Sequence, residues 1–406
     1  MTTQYHRVVS GRRSWFLGTV LVLAACSTPI AADRQDRSPT QPTESTPPSP
    51  APSASEVELT PLAVRPRHSI PAAEEGLPSL SATKVTDGNY PAGLAVAPDG
   101  RIFFTELYGG VIRVIDERGA VSEWYDVNEH FDIEWTEFYH GGLSAIAIDP
   151  EFRTNHYVFA VTQVPSRDTG LPVKSLILRF TERNGVGTRP KVLLTVPAQK
   201  ITNIYSLVFS SSGTVFVPSG AYLRPGAADQ PGDLAGEVLH ITRDGDPVPG
   251  GPLGPKAPMT WAYGLRMPFD VAIEPETGYL VGGENGEKGH DEIDLIAPGR
   301  YYGWAEHEGI VEAASEMTQP LVDLGPGHWA PVGMIRYDGA RYPKLRGLYL
   351  VCMNHQPGVY AMRIDPGPPA RLMSFTKVAA TCSIDIAASR DGRIFIADAY
   401  AIYELT

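Results

Sequence analysis

The sequence predicts an all-β protein, a six-bladed β-propeller with four-stranded blades, from three observations. One hairpin unit recurs six times, the recurrences start roughly 50 to 65 residues apart, and no long helical periodicity interrupts them. That spacing leaves room for four strands and their turns. The unit is a short β-rich run, a turn carrying Pro, Asp, Ser or Gly, and a second β-rich run. Its first copy is Gly93-Leu94-Ala95-Val96-Ala97-Pro98-Asp99-Gly100-Arg101-Ile102-Phe103-Phe104. The second is Ala145-Ile146-Ala147-Ile148 with Tyr157-Val158-Phe159-Ala160, and the third Leu207-Val208-Phe209 with Val215-Phe216-Val217. Asp270-Val271-Ala272-Ile273 with Tyr279-Leu280-Val281 follows, then Gly333-Met334-Ile335 with Leu348-Tyr349-Leu350, and last Ile384-Asp385-Ile386-Ala387 with Ile394-Phe395-Ile396. Apolar residues alternating with small or polar ones around Asp-Gly or Pro-Asp turns are the mark of a hairpin. The 40 Gly and 37 Pro supply turns for many short strands. A pair of β-sandwiches, the rival architecture, has no reason to keep a regular period.

The chain ahead of the repeats reads as export and tether. Arg12 and Arg13 precede an apolar run over 15–25, too short to span a bilayer, which closes on Leu23-Ala24-Ala25-Cys26. Residues 1–26 are therefore expected to be a lipoprotein signal, with Cys26 acylated and the protein lipid-anchored outside the cytoplasm, in the periplasm or at the cell surface. An ordinary signal peptide with an incidental Cys is the plainer reading. Residues 27–75 are rich in Pro, Ser and Thr and poor in aliphatic side chains, the composition of an extended tether. Residues 76–406 make up the propeller. Net charge is −12 with no basic cluster, which speaks against a nucleic-acid partner and leaves the lipid on Cys26 as the expected membrane contact. Cys352 and Cys382 could form one disulfide or remain two buried thiols.

In a propeller, the segments leading into the innermost strands form a rim around the central channel, and function resides in the side chains grafted there. Those lead-ins hold Tyr90-Pro91, Phe138-Tyr139-His140-Gly141-Gly142, Thr202-Asn203-Ile204-Tyr205, Tyr263-Gly264-Leu265-Arg266, His328-Trp329-Ala330-Pro331 and Thr381-Cys382-Ser383. The densest polar stretch is Glu284-Asn285-Gly286-Glu287-Lys288-Gly289-His290-Asp291-Glu292, followed by Tyr302-Gly303-Trp304. The aromatics Tyr139, Tyr205, Trp261, Tyr263, Trp304 and Trp329 offer flat faces on which a ligand ring could stack.

Pro98-Asp99-Gly100-Arg101 with Thr105-Glu106, Gly142-Leu143 with Asp149-Pro150, Tyr263-Gly264-Leu265-Arg266, the stretch from Glu284 to Ile293, and Tyr302-Gly303-Trp304 together resemble the soluble quinoprotein glucose/sorbosone dehydrogenases, which include the aldose sugar dehydrogenases. The resemblance runs over nearly all of 85–406. It implies a six-bladed propeller that oxidises a sugar or other small polyol with pyrroloquinoline quinone (PQQ) and calcium. Arg266 falls on an arginine beside the cofactor, and Asn285, Gly286 and Glu287 fall on the loop that holds the activating calcium. Asp291, Glu292 and Tyr302 fall on a second, structural calcium site. The electron acceptor is not specified by the sequence.

The pattern departs from the family in four places. Met267 stands where Asn follows the arginine. Thr202 occupies the position of the catalytic His, and a threonine is no base near neutral pH. Cys382 and Ile384 replace two arginines for the cofactor's carboxylates, and no lysine appears near Met353-Asn354-His355. His140, with Glu106, is the candidate substitute acid/base pair; a His bonded to a loop carbonyl is the plainer alternative. Three function classes follow: a divergent sugar dehydrogenase, a catalytically silent propeller lipoprotein binding a glycan or protein at its rim, and a calcium-dependent lactone or ester hydrolase. The last needs several acidic or Asn ligands converging on the channel, and the lead-ins carry few.

Overall fold

A computed structural model of the chain describes residues 62–131, 142–166, 168–198, 204–221, 224–311, 313 and 316–406. They fold into six antiparallel sheets, each with four strands in radial order from the channel outward. Blade 1 runs Pro91–Val96, Ile102–Glu106, Val111–Ile115 and Val121–Asp126. Blades 2 to 5 repeat that up-and-down order, with innermost strands Leu143–Ile148, Val208–Phe209, Pro268–Ile273 and Pro331–Arg336. Blade 2 adds the short strand Val186–Gly187 at its outer edge. All six hairpins read from the sequence are the two inner strands of a blade.

Blade 6 is assembled from both ends of the body. Its three inner strands, Ile386–Ala388, Ile394–Ala397 and Ala401–Leu405, accept Ala82–Asp87 as the outermost strand, with Ala82 opposite Leu405. Ring closure therefore depends on a strand whose own side chains are mostly exposed. The pairing removes two sheet edges at once.

The recurring tight turn has one physical cause. In blades 1, 3 and 6 the turn glycines Gly100, Gly213 and Gly392 sit at φ of 94°, 81° and 90°, and each donates its N–H three residues back, to Ala97, Ser210 and Ser389. A Cβ is disfavoured there. Between blades, inward-facing apolar residues interlock. Blades 1 and 2 share the buried ring set Phe103, Trp124, Phe152 and Phe180, with Phe103 and Trp124 edge to face at 5.4 Å. Emptying a site of that kind typically costs about 3–5 kcal/mol.

The last part of the stretch read as tether lies on the body. Val64 bridges to Ala370, Arg65 N–H donates to the Ala370 carbonyl, and Leu62, Val64 and Ile70 pack on the core between blades 4 and 5. These three aliphatic residues give 62–70 apolar surface to bury, which the Pro/Ser/Thr-rich part before them lacks. Among the described residues no helix is long and apolar enough to cross a membrane.

The innermost strands are stitched around the channel by polar side chains. Asp270 accepts the N–H of Met334 at 2.7 Å, joining blades 4 and 5, and Asp385 accepts that of Leu94 at 2.6 Å, joining blades 6 and 1. The Ser144 hydroxyl donates to the Ile204 carbonyl at 2.7 Å, joining blades 2 and 3. A Cβ on Gly142, at the start of blade 2, would lie 1.8 Å from the Leu107 carbonyl oxygen, so the approach of blade 2 to blade 1 requires glycine there.

Candidate binding site at the channel mouth

The lead-ins converge on a cavity of about 270 Å³ at one end of the channel. Its floor is Asp270 and Asp385, which also face the channel beyond. Each carboxylate spends both oxygens on backbone N–H groups, those of Val271 and Met334 for Asp270 and those of Ile386 and Leu94 for Asp385. Desolvation nevertheless dominates, pushing Asp270 up to about 7 and Asp385 well above the usual carboxylate range, the latter also through the neighbouring Asp270 charge.

Above the floor, Tyr205 and Phe269 stack with centroids 4.0 Å apart, and Tyr90, Leu107 and Met267 also line the cavity. Asn285, Asn354, His328 and His355 form its polar wall, with the two imidazole rings 6.3 Å apart and the Asn285 N–H donating to the Met267 carbonyl. Asn285 is only 8% exposed, and its side-chain carbonyl has no hydrogen-bond partner among the described residues.

The polar wall is built by the long loop of blade 4 and the lead-in to blade 5. Asp291 ties them together: Oδ1 accepts Gly286 N–H at 3.0 Å, and Oδ2 accepts Trp329 N–H at 2.6 Å and Ala330 N–H at 2.8 Å. His328 and Ala330 both hold left-handed backbone, at φ 45° and 49°. Such positions cost on the order of 1–3 kcal/mol each and persist only when their surroundings impose them. Asp291 on the backbone, and the Trp329 ring edge-on to Tyr360 and Phe375, impose them here.

Arg266 lies beneath this wall, 6% exposed. Its guanidinium donates to the Asn285 carbonyl and lies 5.4 Å from the Trp304 ring. It faces a hollow of about 20 Å³ with Glu284, Glu292 and Asp294. Burial pushes Glu284 up to about 8 and Asp294 up to about 7, and it holds Glu292 well above its ordinary value, with the charges of Asp294 and Glu284 adding to the effect. Glu284 Oε1 accepts the backbone N–H of Met267 at 2.8 Å and of Arg266, while Glu284 Oε2 and Asp294 Oδ1 have no partner among the described residues.

The lead-in to blade 6 is covalently held. Cys352 and Cys382 form a disulfide with Cα atoms 5.4 Å apart, which settles the pairing that spacing left open. Asn354 Nδ2 donates to the Ser383 carbonyl at 2.7 Å beside it.

Of the residues singled out from the sequence, Asn285 and Gly286 line the cavity, and Arg266 lies directly behind them. Glu287 is exposed beside Glu308, to which its N–H donates. Asp291 is the bracket just described; Glu292 accepts Gly309 N–H; the Tyr302 hydroxyl donates to Leu295 O at 2.7 Å and accepts from Ala297 N–H at 2.8 Å. Glu106 lies off the cavity, paired with Arg113 at 2.9 Å. His140, Tyr139 and Thr202 fall outside the described residues. Of the other aromatics, only Tyr205 reaches the cavity: Trp304 covers Arg266, Trp329 is packed on blade 5, and Trp261 lies against Phe216 and His240. Phe269, Asp270 and Asp385 went unmarked as site residues; the available signal was an aspartate inside an otherwise apolar inner strand.

The glucose/sorbosone dehydrogenase profile matches residues 88–400. The chain belongs to the glucose/sorbosone dehydrogenase family. Quinoprotein glucose dehydrogenase B of Acinetobacter calcoaceticus is 27% identical over 248 residues, 54% of this chain and 51% of that relative. An uncharacterised Synechocystis protein is 26% identical over 332 residues, 74% of this chain and 79% of the relative. The PQQ-bound aldose sugar dehydrogenase of Streptomyces coelicolor superposes with a TM-score of 0.69 at 22% identity, covering 82% of this chain and 99% of that one, which shows the shared fold.

The described lining of the cavity in this glucose/sorbosone dehydrogenase family member contains no Lys or Arg, and its ionisable groups are Asp270, Asp291, Asp385, two tyrosines and two histidines. A tricarboxylate such as PQQ needs cationic donors, each worth about 1.5–3 kcal/mol. The described residues do not fit it. Among them, moreover, no three His, Cys, Asp or Glu side chains converge in a geometry that could hold a metal ion.

Proposed function

We propose that this family member binds a sugar or small polyol at the channel mouth without holding PQQ there, outside the cytoplasm and anchored through lipid on Cys26. The carrying observation is the lining: hydrogen-bonding groups on Asn285, Asn354, His328 and His355 together with the stacked Tyr205 and Phe269, and no described guanidinium or ammonium. Such a surface suits hydroxyls and ring faces and repels carboxylates. The Leu23-Ala24-Ala25-Cys26 sequence and the Cys352–Cys382 disulfide support the compartment, since structural disulfides persist in oxidising surroundings.

A second reading, PQQ-dependent sugar oxidation, is favoured by the name of the Acinetobacter relative. One pair of measurements separates the two. Calorimetric titration of the purified protein with aldoses and polyols should give binding, while PQQ with calcium should produce neither a bound-quinone absorbance nor dye-linked sugar oxidation. Quinone uptake with turnover would reverse the order of the two readings. Replacing Cys26 with Ser should move the protein from the membrane fraction to the soluble one.

A further inference from the structure

The floor of the cavity is a pair of acids without a counter-charge. Asp270 lies in the innermost strand of blade 4, Asp385 immediately before that of blade 6, and the innermost strand of blade 5 runs between them. Asp270 accepts the N–H of Met334 at 2.7 Å, while a Cβ on the preceding Gly333 would lie 2.5 Å from Asp385 Oδ1. The two carboxyls therefore flank one pair of residues, and the Asp270 charge is felt at Asp385.

Their hydrogen-bond partners are backbone N–H groups, and no Lys, Arg or His acts on either one among the described residues. Backbone amides supply hydrogen bonds but no net charge, whereas carboxylates taken out of water are ordinarily paired with a cation. Burial and repulsion hold both acids above the usual carboxylate range, and a positive charge beside them would bring them back toward the ionised form.

A second group in the lining also lacks a partner. Asn285 is 8% exposed, and its side-chain carbonyl accepts no hydrogen bond among the described residues. Asp291 adds a third carboxyl to the same lining. All of these oxygens are acceptors, so the mouth calls for a donor that carries positive charge. An ammonium is that group, with three N–H donors and no acceptor. A metal ion fits less well, because among the described residues no three acidic, His or Cys side chains converge to hold one. The ring faces of Tyr205 and Phe269, in the same lining, also tolerate a cation.

We infer that the channel mouth takes an amino sugar or amino polyol, its ammonium on the Asp270 and Asp385 floor and its hydroxyls on Asn285 and Asn354. This rests on the sugar- or polyol-binding reading above and narrows it to one class of ligand.

Calorimetry of the unmodified protein with D-glucosamine, N-acetyl-D-glucosamine, D-glucose and propylamine tests it. Glucosamine should bind about tenfold more tightly than glucose, the scale of a charge-assisted hydrogen bond replacing a neutral one. N-acetylation removes the charge and should return the affinity to that of glucose or below. Propylamine, with the charge but no hydroxyls, should bind more weakly than glucosamine, again by about tenfold. Asp270→Asn and Asp385→Asn should each cut the preference for glucosamine over glucose by about threefold or more. If neither variant folds, the ligand series on the unmodified protein decides. Equal affinities for glucosamine and glucose would overturn the inference and leave the sugar-binding reading intact. Propylamine binding as tightly as glucosamine would overturn it in favour of a plain amine site. Absence of binding by all three sugars would remove both readings.

Discussion

The lead-ins to blades 4 and 6 border the same cavity and are held by opposite chemistry. On the blade 4 side the bonds are ionic and polar: Arg266 donates to Asn285 O, Glu284 accepts two backbone N–H groups, and Asp291 accepts three. On the blade 6 side the Cys352–Cys382 disulfide does the holding, and no charged side chain other than Asp385 reaches the cavity. The residues that match the family pattern at blade 4 are committed to backbone groups of this chain. At blade 6, where the pattern expects two cations, the chain departs: Cys382 is bonded to Cys352 and the Ile384 side chain is apolar. A charge that holds scaffold cannot be exchanged without unfolding something, whereas one that holds only a ligand can.

Four experiments would break or sharpen that contrast. Asp291→Ala should have the largest effect, a loss of about 4–5 kcal/mol in urea unfolding, because three N–H groups lose a charged acceptor and the left-handed His328 and Ala330 lose their clamp. A loss under 1 kcal/mol would show the blade 4 wiring to be incidental. Replacing both Cys352 and Cys382 with Ala should cost about 3.5 kcal/mol, the loop-entropy value for a sequence separation of 30, and should loosen Asn354 against Ser383. Equal stability of the reduced and oxidised protein would contradict it.

Acidity is the third lever. Asp270 and Asp294 are raised to about 7 and Glu284 to about 8, above their unfolded values. The native state therefore binds more protons than the unfolded one, so the stability these groups contribute is complete below about pH 4 and is lost as pH climbs to about 8. Thermal midpoints should fall steadily across pH 5 to 8, and Asp270→Asn should flatten part of the slope. Reversal of that fall by millimolar calcium at pH 8 would mean that the blade 4 hollow accepts a cation in place of its protons. The smallest effect belongs to Glu106→Gln. Its partner Arg113 is about one-third exposed, so the loss should stay below about 1 kcal/mol, with sugar affinity unchanged.

Much of this was legible in the chain. The six hairpins stood out because each inner pair alternates apolar and small residues around a turn that needs Gly or Asp. Asn285 and Gly286 could be marked because they fall, with Glu287, on the loop that the resemblance to the sugar dehydrogenases implies holds calcium. Other parts were hidden for definite reasons. Ala82–Asp87 has no buried face of its own, so nothing in its pattern announces that it completes a blade more than 300 residues away. Asp270 and Asp385 look like isolated acids in apolar strands until the neighbouring blade supplies the N–H groups that explain them. The stacking aromatics were over-assigned because a Trp near a rim can equally be a packing anchor, as Trp329 is.

By itself the sequence determined the repeat, the strand alternation and the turn chemistry, because these depend on neighbours a few residues apart. Only the tertiary structure decided which side chains face the channel, which carboxylates accept backbone N–H groups, and that Asn285, Asn354 and two histidines share one mouth with the stacked Tyr205 and Phe269. Those outcomes depend on six lead-ins brought together from about 300 residues of chain, and a distance in space between such segments has no representation in their local sequence.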